Sequence, residues 1–154
     1  MISLRIAGGL LAVATLAGIT GCTASAQHTH TETPPATTAS KLPGESLTPL
    51  LQQALPNVKG RTFTSAIVDF PPTARAVPHR HGQAFVYAYV MEGTVRSQLE
   101  GKPVTTYHQG ENWVEQPGAH HVLTENTSST ARAKLLVVFV SDTGDKLKVD
   151  DPRA

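Results

Sequence analysis

Pro78-His79-Arg80-His81-Gly82 sets two histidines one residue apart, just ahead of the strand-like run Ala84 to Met91. On an extended chain, side chains two residues apart project to the same face. Two imidazoles pointing the same way offer a borderline metal ion two of its ligands. A third imidazole is available in Pro117-Gly118-Ala119-His120-His121. The implied chemistry is coordination of one divalent transition metal, and the imidazoles leave Fe, Mn, Zn, Ni and Cu all open. Burying three imidazoles with no partner would be costly, which counts against a purely structural cluster.

The elements that must hold these residues read as strands. Thr62 to Phe70 alternates, with Phe63, Ser65, Ile67 and Asp69 on one face and Thr64, Ala66, Val68 and Phe70 on the other. Pro71-Pro72 ends it. Further strands are expected at Ala74–His81, Phe85–Met91, Thr94–Leu99, Val104–Tyr107, Asn112–Glu115, His121–Glu125 and Ala133–Val140. The last is an almost unbroken apolar run, as in a strand buried on both faces. Turn signals every 8–12 residues argue for an all-β sandwich or barrel. The apolar residues of Leu47–Leu55 fall at 47, 50, 51, 54 and 55, a spacing that predicts a short amphipathic helix capped by Ser46. From Asp142 onward the chain is polar and predicted to fray.

The residues now carry a resemblance. His79-x-His81, four residues, Val86, six residues, Gly93 resembles the first motif of the cupins, Gly-x5-His-x-His-x3–4-Glu-x6-Gly. Gly110-x5-Gln116-Pro117-Gly118-Ala119-His120-His121 is similar to their second motif, Gly-x5-Pro-x-Gly-x2-His-x3-Asn. The resemblance implies a double-stranded β-helix, a small jelly-roll barrel. It assigns His79, His81 and His121 as metal ligands, with His120 pointing to the opposite side of its strand. It also implies a homodimer.

Four positions depart from the pattern. The motif's glutamate falls on Val86, which cannot coordinate; its first glycine falls on Thr73; its proline falls on Gln116; its asparagine falls on Glu125, beside Asn126. Losing the glutamate leaves a three-histidine site with an open position, as catalytic sites keep. Gln83 and Glu115 are candidates to complete the shell. Phe85, Tyr87, Tyr89 and Trp113 read as core or dimer-face packing, and His108 as a surface residue.

The N-terminus reads as a targeting segment. Met1 to Arg5 is a short charged stretch, and Ile6 to Ile19 is apolar but short for a membrane span. Ile19-Thr20-Gly21-Cys22 resembles a bacterial lipobox, and Cys22 is the only cysteine. The expected organisation is a lipoprotein signal peptide over 1–21, a flexible tether over 22–41 and a β-barrel domain over 42–150. Lipidation of Cys22 would place the protein in the bacterial periplasm, anchored to the outer membrane. An ordinary secretory signal cleaved near Ala24-Ser25-Ala26, giving a soluble periplasmic protein, is the alternative. His28-Thr29-His30 lies in the tether, where it has no fixed geometry.

With 13 basic and 12 acidic residues and no basic stripe, nucleic acid is excluded as a partner class. Removing 1–21 takes away only Arg5, so the remainder is neutral and contact with a membrane would rest on the lipid anchor alone. Three readings follow. The first is a metal-dependent enzyme of oxygenase or isomerase type acting on a small organic molecule. The second is a non-catalytic cupin capturing a small ligand or metal, and the third is an accessory barrel.

Overall fold

A computed structural model describes residues 43–152. The expected signal segment, tether and lipidation site at Cys22 lie outside the described residues. Ten strands follow in order: β1 (Ser46–Ala54), β2 (Arg61–Phe70), β3 (His79–Arg80), β4 (Phe85–Glu92), β5 (Thr94–Leu99), β6 (Thr105–His108), β7 (Asn112–Glu115), β8 (His120–Asn126), β9 (Ala133–Asp142) and β10 (Val149–Asp150). They form two five-stranded antiparallel sheets, ordered β1-β2-β9-β4-β7 and β10-β3-β8-β5-β6. This is the all-β architecture expected from the alternation and turn spacing, and the jelly roll that the resemblance implied.

Alternation decides the core. β2 sends Thr62, Thr64, Ala66, Val68 and Phe70 inward, β4 sends Val86, Ala88 and Val90, and β9 sends Ala133, Leu135, Val137 and Phe139. β9 sits between β2 and β4 and runs the whole width of the sheet. Its outward residues Leu136, Val138 and Val140 are only partly covered, so the strand is buried on one face and half-buried on the other, not on both. Phe63, Ile67, Phe85, Tyr87 and Tyr89 share that outer face and are likewise half-buried.

The helix expected at Leu47–Leu55 is a strand. β1 pairs antiparallel with β2 from Ser46↔Asp69 to Ala54↔Thr62, with a register break at Pro49 and Leu51. The helical spacing of its leucines reflected no buried face: Leu50 and Leu51 are 59% and 51% exposed, and Leu47 alone packs on the core. Pro49 is tolerated because an edge strand leaves its donors unneeded. The C-terminal stretch is also more ordered than its polarity suggests. β10 pairs with β3, Val149 opposite Arg80 and Asp150 opposite His79, and Leu147 packs against the core.

Thr73, which stands at the first-motif glycine position, adopts φ 61°. A β-branched residue in the left-handed region costs about 1–2 kcal/mol. Thr73→Gly is therefore expected to raise stability, by roughly 0.5–1 kcal/mol once glycine's greater unfolded-state entropy is subtracted. A thermal unfolding midpoint a few degrees higher would show it; a lower one would mean the threonine side chain compensates for its backbone.

Candidate metal centre

His79 and His121 are direct cross-strand partners on β3 and β8. His81 follows two residues after His79, in the turn leading to β4. Their ring centroids lie 4.8 Å (His79–His81) and 5.1 Å (His79–His121) apart, and all three side chains are buried. One nitrogen from each falls within 4.8 Å of the others, a grouping able to hold one metal ion. Register and period together bring the three imidazoles into one space.

The hydrogen bonds fix which nitrogens are free on His79 and His81. Nδ1 of His79 donates to the Val77 carbonyl at 2.7 Å, and Nδ1 of His81 donates to the Leu147 carbonyl at 2.5 Å. A carbonyl only accepts, so each ring carries its proton on Nδ1 and presents a bare Nε2 lone pair. Metal-bound histidines are oriented by the same kind of backbone contact. His121 places Nδ1 3.0 Å from Oε1 of Glu115, while its Nε2 is 2.8 Å from both the Ser97 and Thr124 hydroxyls. The donor set fits a divalent transition metal, of which imidazole is a standard ligand. The cluster suggests such an ion without selecting among the five metals.

Burial lowers the His79 pKa to about 4, outweighing the rise due to the Val77 carbonyl; His81 and His121 nearby lower it further. Burial also lowers His81. Burial alone would push Glu115 up, but the hydrogen bond and charge of His121, the charge of His81 and the Trp113 indole together hold it below the usual carboxylate range. At neutral pH the two histidines are unprotonated and ready to coordinate. In metal-free protein the unfolded His79 takes up a proton below pH 6.5 that the folded one refuses until about pH 4. Stability must therefore fall as pH is lowered through that window. Between pH 7 and 5 the loss from His79 is on the order of 2 kcal/mol. Denaturant midpoints of the metal-free chain at both pH values should show it, and His79→Gln should flatten the difference; an equal slope in that variant would assign the effect elsewhere.

Glu115, at the end of β7, is 2% exposed and reaches the cavity. Its Oε1 accepts from Trp113 Nε1 at 3.1 Å, and Oε2 lies 3.7 Å from His81 Nε2. Gln83 does not join it. It is an exposed turn residue and is not among those lining the cavity. His120 faces outward between Asp151, 2.7 Å from its Nε2, and Glu100. His108 is exposed on the surface.

The histidines line a mostly apolar cavity of about 470 Å³ counting its mouth, walled by Val86, Ala88, Leu135, Val137 and Phe139. At its rim Lys148 pairs with Glu45 at 2.8 Å. Leu147 and Lys148 were not foreseen as parts of the site, nor were Ser97 and Thr124; no motif marks them. Thr124 faces inward because β8 carries an extra residue at Val122, where Gln98↔Leu123 is followed by Leu99↔His121. The same shift corrects the second motif's last position. Asn126, not Glu125, is buried and donates to the carbonyls of Phe70, Pro71 and Ala131, while Glu125 pairs with Arg96.

Residues 66–139 match the cupin domain family. An oxalate oxidase in complex with the substrate analogue glycolate shares the fold at TM-score 0.58 and 24% identity, over 72% of this chain and 57% of that one. DMSP lyase from Ruegeria pomeroyi gives 0.56 and 18%, over 69% and 51%. A double-stranded β-helix protein of uncharacterised role from Klebsiella pneumoniae gives 0.55 and 14%, over 71% and 86%. This chain thus spans little more than half the length of the first two. No curated protein matches it in sequence. Fold, motif order and family match together support the cupin superfamily.

Proposed function

We propose that this protein is a metal-dependent cupin of the bacterial envelope that acts on a small organic molecule by oxygenase- or isomerase-type chemistry. The observation that carries the reading is the pair of bare Nε2 atoms on His79 and His81, beside His121, within an apolar cavity. A divalent metal held by the three histidines would supply Lewis acidity or dioxygen activation and a point for substrate chelation. Around it, Val86, Ala88 and Phe139 exclude water and leave room where the motif's glutamate would stand. The similar oxalate oxidase and DMSP lyase structures are enzymes of small molecules, which agrees with this reading.

The test is metal content of the purified protein, with oxygen uptake and product formation across enediol, catechol and thiol compounds. About one metal per chain and turnover of one compound class is the expected result. Metal without turnover, but with tight binding of a compound, would favour the non-catalytic capture reading instead. A protein purified without metal that takes none up would overturn both.

Two further parts of the proposal have their own supports. The half-buried apolar outer face of the β1-β2-β9-β4-β7 sheet suits a homodimer, because among the described residues no layer covers the aromatic and aliphatic side chains there. Val138→Lys at its centre should then give a monomer by light scattering, and an unchanged mass would remove that face from the interface. Anchoring through Cys22 rests on the lipobox alone: Cys22→Ser should leave the precursor uncleaved, whereas normal processing to a soluble form would exclude lipidation.

A further inference from the structure

Val86 stands where the cupin motif has a coordinating glutamate, and the residue directly opposite it across the β4–β7 ladder is Glu115. Opposed residues of an antiparallel pair have Cβ atoms about 4.5–5.5 Å apart, and these two point the same way, into the cavity. A carboxylate on either strand therefore reaches the same space. Glu115 is buried, and Trp113 Nε1 donates to its Oε1. With its Nε2–H donated to the Ser97 or Thr124 hydroxyl, His121 keeps a bare Nδ1 3.0 Å from that oxygen, a spacing that suits two ligands of one ion. Its Oε2 is buried with no hydrogen-bond partner and lies 3.7 Å from the bare Nε2 of His81. Ligand atoms about 2.0–2.2 Å from one tetrahedral ion sit roughly 3.4 Å from each other. A buried carboxylate oxygen left without a donor is costly unless a cation completes it.

We propose that Glu115 is a metal ligand, so that the carboxylate absent from β4 is supplied from the facing position on β7. The inference rests on the metal-centre reading above and adds a fourth protein group to the three histidines. It also gives the anchored oxygen a purpose. Trp113 fixes Oε1 so that the side chain cannot swing away, and Oε2 is presented toward His81. The open cavity beside Val86 then remains free for a ligand or substrate, since the carboxylate approaches from the neighbouring strand.

The competing role is positioning: Glu115 would orient His121 and never touch the ion. Co(II) titration of the chelator-stripped full chain separates the two. Glu115→Gln keeps an oxygen for His121 but loses the charge, and is expected to weaken Co(II) by more than about 100-fold, beyond what an orienting group contributes. The visible spectrum of bound Co(II) should change as well. The exchange variant Val86→Glu/Glu115→Val returns the carboxylate to the motif position and should recover binding to within about tenfold of wild type. Glu115→Gln matching wild type in affinity and spectrum would overturn the inference, as would a folded exchange variant that fails to recover. Should the exchange variant not fold, the affinity and spectrum of Glu115→Gln decide alone. Wild-type protein that binds no Co(II) would sink the metal-centre reading and this inference together, whereas wild-type binding with an indifferent Glu115 sinks only the latter.

Discussion

His79→Ala should leave a folded chain that retains almost no metal after dialysis against a chelator, and His81→Ala and His121→Ala should behave alike. Two imidazoles on a divalent ion compete poorly with water and chelators, so loss of any one should weaken binding by at least about 100-fold, more than loss of an orienting group. The three positions are equivalent in this respect for different structural reasons. His79 and His121 face each other across β3 and β8, and the Val77 carbonyl sets the His79 ring. His81 depends on the Leu147 carbonyl, so truncating the chain before Leu147 should mimic His81→Ala in part. His120→Ala is the control. It removes an imidazole next in sequence to a ligand, yet its partners are Asp151 and Glu100 on the opposite face. Elemental analysis of the four variants decides the matter. Metal lost from His120→Ala and kept by His121→Ala would mean that the β8 register assigned here is wrong.

Where local pattern determines structure, the chain could be read directly. The inward sets of β2 and β4 follow from alternation, and the placement of His79 and His81 on one face follows from the same period of two. The opposite orientations of His120 and His121 follow likewise. Reading failed where a residue's role depends on its neighbour across a sheet. Glu115 could be named as a candidate for the shell, but not told apart from Gln83, because its pairing with Val86 is a matter of register and leaves no trace in linear order. β1 misled because leucines on an exposed edge strand need not keep the period of two. A single extra residue at Val122 moved Asn126 into the position where the motif count placed Glu125. The short β10 carried too few apolar residues to announce itself, yet the segment before it orients one histidine and supplies the rim lysine.

Gly93→Ala is expected to destabilise the barrel by about 3–4 kcal/mol, a large share of what a domain of this size possesses. Gly93 is the glycine that closes the first motif and joins β4 to β5. It adopts φ 76°, where an alanine costs about 1–2 kcal/mol. A Cβ there would also stand 2.6 Å from the Arg132 carbonyl oxygen and 3.1 Å from Cα of Ala133. Both obstacles are backbone, so no side chain can swing aside. Relief requires the β4–β5 turn to move off the start of β9, where Ala133 is fully buried and Glu92 pairs with Lys134. Strain of that kind typically adds 1–3 kcal/mol. Gly118→Ala separates the two contributions. Its φ is 80°, but the nearest atom to an added Cβ is the Gln83 amide nitrogen at 4.0 Å, so only the backbone cost of about 1–2 kcal/mol applies. Denaturant midpoints of the two variants should therefore differ clearly, with Gly93→Ala the weaker. Equal losses would show that the turn has room to shift, and the glycine would then be required for its dihedral angle alone.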